Sequence, residues 1–250
     1  MITELILLAP LFVLYHYKLI RGEILLFVLL KYYWLPKCVF VKFLNAYFPS
    51  ILTHRFSLNS DKTIALTFDD VPYGSQKEIV DLLDQYDMKG TLFIISDEVK
   101  KQNKKEELID FVKRGHQLAN HGKTNSMHVI KGMKTLEKEI EDCDDLIEEI
   151  YMEAKVERKG KFYRPGCGLF SQKMIDLVEQ KEYNLTLGSV YPNDPVVMSS
   201  WINYYYLLWH IDEGDIVILH DRKWTVPMLK LLLPKLKDQG YTSVTLDNLF

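Results

Sequence analysis

Five places in this chain put ionisable or metal-seeking side chains directly after short apolar runs. Asp69-Asp70 follows TIALTF, Asn120-His121 follows HQLA, Arg164 follows KFY, Asp194 follows the run ending at Val190, and His220-Asp221 follows DIVIL. Carboxylates, imidazoles and one arginine gathered in one place make up the composition of a metal hydrolase centre. A zinc-like ion takes about three protein ligands and leaves one position for water. Asp70 and His121 offer an oxygen and a nitrogen to such an ion, which would bring the water's pKa from ~15.7 toward ~7. Asp69 is then a second carboxylate able to take the water's proton, and His220 titrates where a general acid must. Taken singly, each residue has a plainer explanation; Asp194, for one, is an ordinary turn former.

What would bring these residues together is the alternation of strand and helix around them. Short β-branched or apolar runs at Thr63–Phe68, Thr91–Ile95, His116–Asn120, Lys161–Arg164, Leu185–Val190, Asp215–Leu219 and Thr242–Leu246 predict about seven strands. Amphipathic stretches at Ser75–Asp87, Lys104–Arg114, Met133–Glu153, Gln172–Gln180 and Val226–Asp238 predict the helices between them. Strands separated by helices pair in parallel through βαβ crossovers. The expected fold is therefore α/β, a distorted (β/α) barrel of about seven parallel strands, with an open doubly wound sheet as the alternative. In either case the chemistry sits at the carboxyl ends of the strands, so all five places face one mouth.

These same residues carry a resemblance. From about Thr63 to Phe250 the chain resembles the polysaccharide deacetylases with the NodB homology domain, carbohydrate esterase family 4. Thr67-Phe68-Asp69-Asp70 is similar to the family's first motif, Gly115–His121 to the run into its second, and Arg164-Pro165-Gly166 to its third. Tyr191-Pro192-Asn193-Asp194 stands at the fourth and Ile218-Leu219-His220-Asp221 at the fifth. The resemblance implies that Asp69 is the catalytic base, held by Arg164, and that Asp70 and His121 are metal ligands. It also implies that the backbone N–H of Cys167 helps hold the oxyanion, and that His220, supported by Asp194, is the general acid. The implied reaction is hydrolysis of the acetamide of an N-acetylated sugar, chitin-like or a wall or glycolipid glycan.

Two positions depart from the family pattern. The second metal histidine belongs four residues after the first, where this chain has Asn125; the next histidine is His128. The expected third ligand is His128, with Asn125 or water as alternatives and a lost metal as a third. Cys167 stands where an aromatic residue is usual, which leaves a backbone N–H in place but reshapes the sugar wall. Tyr191 and Trp224 are candidates for that wall, and Trp201, Tyr204, Tyr205, Tyr206 and Trp209 could extend it or simply pack. The cofactor implied is a divalent ion, Zn2+ in the first instance and Co2+ or similar otherwise.

Composition sets further bounds. A chain of 250 residues makes one sizeable core. Residues 1–55 contain six Lys or Arg against two Asp or Glu, so the net charge of −3 leaves an acidic body, unsuited to nucleic acid. Three cysteines, Cys38, Cys143 and Cys167, make no disulfide framework. Leu5–Ile20, followed by the aromatic and basic Lys31–Lys37, predicts a membrane anchor within residues 1–48, ahead of a catalytic domain over 56–250. The chain is accordingly expected to be membrane-associated through a single N-terminal segment. Two rival functions stand beside deacetylation: a catalytically silent, anchored carbohydrate-binding barrel, motivated by Asn125, and a hydrolase of linear amides.

Overall fold

A computed structural model describes residues 37–55 and 62–250. Helix α1 (Lys37–Tyr47) leads in. There follow β1 (Thr63–Val71), α2 (Gln76–Gln85), β2 (Gly90–Ile94), α3 (Ser96–Lys101), α4 (Lys105–Lys113), β3 (Gln117–Asn120) and α5 (Met133–Ala154). The chain continues through β4 (Phe162–Tyr163), α6 (Gln172–Gln180), β5 (Asn184–Leu185), α7 (Ser200–His210), β6 (Ile216–His220), α8 (Thr225–Asp238), β7 (Thr242–Ser243) and α9 (Leu246–Leu249). Every ladder between these strands is parallel, in the order β5-β4-β3-β2-β1-β6, with β7 pairing the start of β1. The sheet curls into an incompletely closed barrel. Its gap is spanned by single bridges, Leu52 to Thr186 and Val190 to Val217.

Strand alternation explains which residues reach the mouth. In β1, Ile64, Leu66 and Phe68 point outward into the main core beneath the helices, while Ala65 belongs to an inner cluster with Phe93, Ala119, Phe162 and Ile216. Period two therefore carries Ala65, Thr67 and Asp69 up the inside of the barrel, as it carries Ile216, Ile218 and His220 in β6. Leu246 and Leu249 of α9 join the inner cluster. All of the outer row is fully buried because helices cover that face, which is why the strands read as continuous apolar runs.

Two expectations are corrected here. The final run, Thr242–Leu246, is a two-residue strand followed by a helical turn, because β7 meets only Thr63 and Ile64 of β1 before the chain turns under the barrel. Membrane association is the second: no helix among the described residues is long and apolar enough to cross a membrane. The spanning stretch predicted at Leu5–Ile20 lies outside the described residues. Within α1, Val41 and Leu44 are buried, and Leu44 packs in a cluster with Ile51, Leu136, Ile140 and Tyr163, so this helix belongs to the globular body.

Candidate active site

The first motif owes its shape to an irregularity. Register between β1 and β2 shifts between Phe68 and Val71, and Asp70 has φ of +62°, in the left-handed region that Asp tolerates better than most residues. Regular alternation would send Asp69 and Asp70 to opposite faces; the bulge turns both toward the mouth. Asp69 is buried and accepts a 2.6 Å hydrogen bond from Nη1 of Arg164. Arg164, at 1% exposure, is anchored by four acceptors: Asp69, Thr67 Oγ1, and the carbonyls of Thr186 and Leu187. Its guanidinium also lies 4.0 Å from the centroid of Phe93. A buried cation so fully satisfied is a rigid fixture, and it leaves one oxygen of Asp69 uncommitted to it.

Across the mouth stands a second pair. His220 is the register partner of Asp69 on the adjacent strand β6. Its Nδ1 lies 2.9 Å from Oδ1 of the fully buried Asp194, whose other oxygen accepts the His220 backbone N–H, also at 2.9 Å. Asp194 thereby fixes the imidazole with Nδ1–H as donor and Nε2 turned away from it. Trp224 donates its indole N–H to the Asp194 carbonyl at 2.8 Å, and the Tyr191 ring lies 5.9 Å from that of His220. Both aromatic candidates are thus at the mouth. Trp201, Tyr205 and Trp209 instead form an exposed stripe along α7, while Tyr204 is buried.

Asp70 and His121 face one another, Oδ1 to Nε2 at 3.5 Å. His121 Nδ1 donates to the Arg164 carbonyl at 2.8 Å, which leaves Nε2 toward Asp70 as the nitrogen with a lone pair to give. Burial alone would lower the His121 pKa, but Asp69 and Asp70 outweigh it and raise the value. For Asp70, burial pulls upward and is overcome by the polar contact with His121 and by the charges of His121, His220 and Arg222, so its pKa falls well below the usual carboxylate range.

His128 is the expected third ligand. It is buried in a short 3-10 turn, His128–Ile130, and both ring nitrogens are taken up by the protein. Nδ1 lies 2.7 Å from the Tyr163 hydroxyl and accepts the Gly166 backbone N–H at 3.1 Å; Nε2 is 3.4 Å from the Thr124 carbonyl. A Cβ on Gly122 would come within 2.6 Å of its ring, so glycine is what lets the imidazole settle there. The alternative ligand, Asn125, is exposed. Among the described residues no group of three His, Cys, Asp or Glu is placed to hold a metal ion. Two donors, Asp70 and His121, are in position and the third is not, so a three-ligand divalent site does not fit the residues as arranged.

Cys167 has φ of +62° in the turn Gly166–Gly168, and its side chain is exposed rather than buried. Burial, and then the charge of Asp70, push its thiol pKa up, away from a reactive thiolate. Two further residues shape the mouth: Asp221, named in the sequence with the fifth motif but given no role, and Arg222, which escapes notice there. Asp221, fully buried, accepts the backbone N–H groups of Tyr73, Gly74 and Ser75 and so ties β6 to the loop after the first motif. Arg222, the next residue, pairs with Asp70 and stacks on Tyr73 at 3.9 Å. The only sequence signal of Arg222 is position: it continues the polar run that begins at His220.

The chain matches the family model described as "Polysaccharide deacetylase" over residues 58–186, a span that contains the first three motifs and stops before the last two. It is 30% identical over 202 residues to a peptidoglycan-N-acetylglucosamine deacetylase of Bacillus cereus, covering 76% of this chain and 89% of that one. It is 28% identical to the peptidoglycan-N-acetylmuramic acid deacetylase PdaC of Bacillus subtilis, but spans only 39% of that protein's length. A solved structure of PdaC overlays with a TM-score of 0.68, covering 76% of this chain and 90% of the solved chain. A family 4 pseudoenzyme from Bacillus anthracis, 20% identical, shares the fold with a TM-score of 0.70, covering 80% of this chain and 69% of that one. A match over half the chain, joined to a relative at 30% identity across three quarters of it, carries one conclusion: this chain belongs to the polysaccharide deacetylase family.

Proposed function

We propose that this protein hydrolyses the acetamide of an N-acetylated amino sugar within a glycan, of the peptidoglycan kind named for its relatives, and so acts on a non-peptide C–N bond. The observation that carries this reading is the pairing of Asp69 and His220 as neighbours on adjacent strands, each locked by its own buried partner, Arg164 or Asp194. Arg164 orients Asp69, so that the carboxylate takes a proton from the attacking water. The backbone N–H of Cys167, in a turn whose side chain need not take part, supports the developing oxyanion; such a donor is worth about 10²–10³ in rate. His220, with Nδ1–H held by Asp194, delivers a proton from Nε2 to the departing amine, leaving acetate and a free amino sugar. Since the metal donor set is incomplete, no step is assigned to a metal ion.

That incomplete set also favours a second reading, a glycan-binding barrel without turnover. The two are separated by incubating the full chain with N-acetylglucosamine oligomers and with peptidoglycan fragments and measuring acetate. Release that is lost in Asp69→Asn supports hydrolysis. Saturable glycan binding with no acetate from any substrate would establish the silent barrel instead. Faster release from a linear N-acetyl amide than from every glycan would move the substrate outside the sugars.

A further inference from the structure

Asp70 is a buried carboxylate at the floor of the mouth, and something cationic must balance it, because an unpaired buried charge is costly. Its neighbour His121 approaches one oxygen at 3.5 Å, longer than a hydrogen bond. The other oxygen is engaged by Nη2 of Arg222. This guanidinium is not a loose surface group. Its side chain is 11% exposed, Nη1 donates to the Asp221 carbonyl at 2.9 Å, and its plane lies 3.9 Å from the Tyr73 ring centroid. The elements that grip it are themselves pinned, since Asp221 accepts three backbone N–H groups from the loop carrying Tyr73. Both ring nitrogens of His128 are meanwhile taken up by the protein, Nδ1 by Gly166 and Tyr163 and Nε2 by the Thr124 carbonyl.

We propose that Arg222 is the resident counter-ion of Asp70: it engages Oδ2 and neutralises the carboxylate, so that a divalent ion drawing on Oδ1 beside His121 binds against the charge of the guanidinium. The folded protein therefore binds divalent ions weakly for a polysaccharide deacetylase family member, and its affinity is set by Arg222 rather than by His128. Two cations on the two oxygens of one carboxylate repel each other at close range, and at the partly buried mouth little water screens it. The inference concerns the resting site and stands whether or not the protein turns over a glycan.

The test is calorimetric titration of the full-length, chelator-treated protein with Zn2+, in wild type, Arg222→Gln, Arg222→Lys and His128→Ala, each checked for an unchanged circular dichroism spectrum. Removing the cation in Arg222→Gln should tighten zinc binding by about tenfold or more, equivalent to about 1.4 kcal/mol. Arg222→Lys, which keeps a positive charge, should remain within about threefold of wild type, and so should His128→Ala where it folds. The wild-type measurement alone is also decisive: a zinc ion that survives dialysis against chelator, at about one per chain, overturns the proposal. So does Arg222→Gln binding no tighter than wild type, or Arg222→Lys binding as tightly as Arg222→Gln.

Discussion

Asp69 and His128 show how differently two buried polar residues can be used. Asp69 keeps one oxygen for Arg164 and turns the carboxylate toward the mouth, where proton transfer is the role we propose for it. Asp69→Asn keeps the shape and loses the base; kcat for acetate release should fall by about 10²–10⁴, with glycan affinity changed little, as measured by steady-state kinetics alongside direct binding. His128, by contrast, spends its acceptor lone pair on the Gly166 N–H and so clamps the third motif against the turn after the second. His128→Ala leaves that N–H unpaired and opens a cavity. It should cost about 2–3 kcal/mol in urea unfolding. Arg164 and Cys167 lie on either side of Gly166, so activity should fall with the clamp.

At the scale of elements, the site depends on places where two backbones nearly touch. Gly166 is one: a Cβ there would lie 1.9 Å from the Ser126 carbonyl oxygen, a rigid backbone atom. Gly166→Ala should therefore force apart the loops of the second and third motifs, lowering Tm by more than about 5 °C in a thermal scan. The β1 bulge is the other such device, since it sets two consecutive aspartates on one side of the strand. Neither is legible in residue patterns. The apolar run TIALTF announces a strand and the pair that follows announces chemistry, but the register shift arises only when β1 lies between β2 and β6. Helix α7 escapes notice for a related reason: its aromatics give no clean amphipathic stripe, because Trp201, Tyr205 and Trp209 stay exposed on the face that a helix pattern would leave polar.

For the whole molecule, acid should be the weak point. His116 is buried between β2 and α2, accepting the Gly90 N–H at Nδ1 while Nε2 lies 3.1 Å from Asp84. Burial pushes its pKa from 6.5 down to about 4, against the pull of Asp84. Its folded pKa is depressed, so the unfolded chain takes up the proton first; stability is full above 6.5 and falls as the pH drops toward 4. The shift corresponds to a loss of up to about 3 kcal/mol across that window. Chemical denaturation at pH 7 and pH 4.5 should show wild type losing at least about 1.5 kcal/mol more than His116→Asn. An equal loss in both proteins would remove His116 as the cause.

What the sequence determined by itself was the sheet, the family and most of the polar inventory. Parallel strands buried on both faces must be apolar runs, and residues that stop such runs must cluster at one mouth, so Asp69, Asp70, His121, Arg164, Asp194 and His220 could be named from pattern and resemblance. Those are local consequences of strand geometry, carried by residues near one another along the chain. Tertiary structure alone decided which lone pairs remained available. His128 lies seven residues from His121 and has a metal-binding side chain, yet its nitrogens are used by Gly166, Tyr163 and Thr124. Arg222 is one exposed-looking charge in a polar run, yet it ends against a carboxylate 152 residues away. Hydrogen-bond partners are a property of three-dimensional neighbours, each donor satisfying one acceptor, and no spacing along a chain specifies how that competition is resolved.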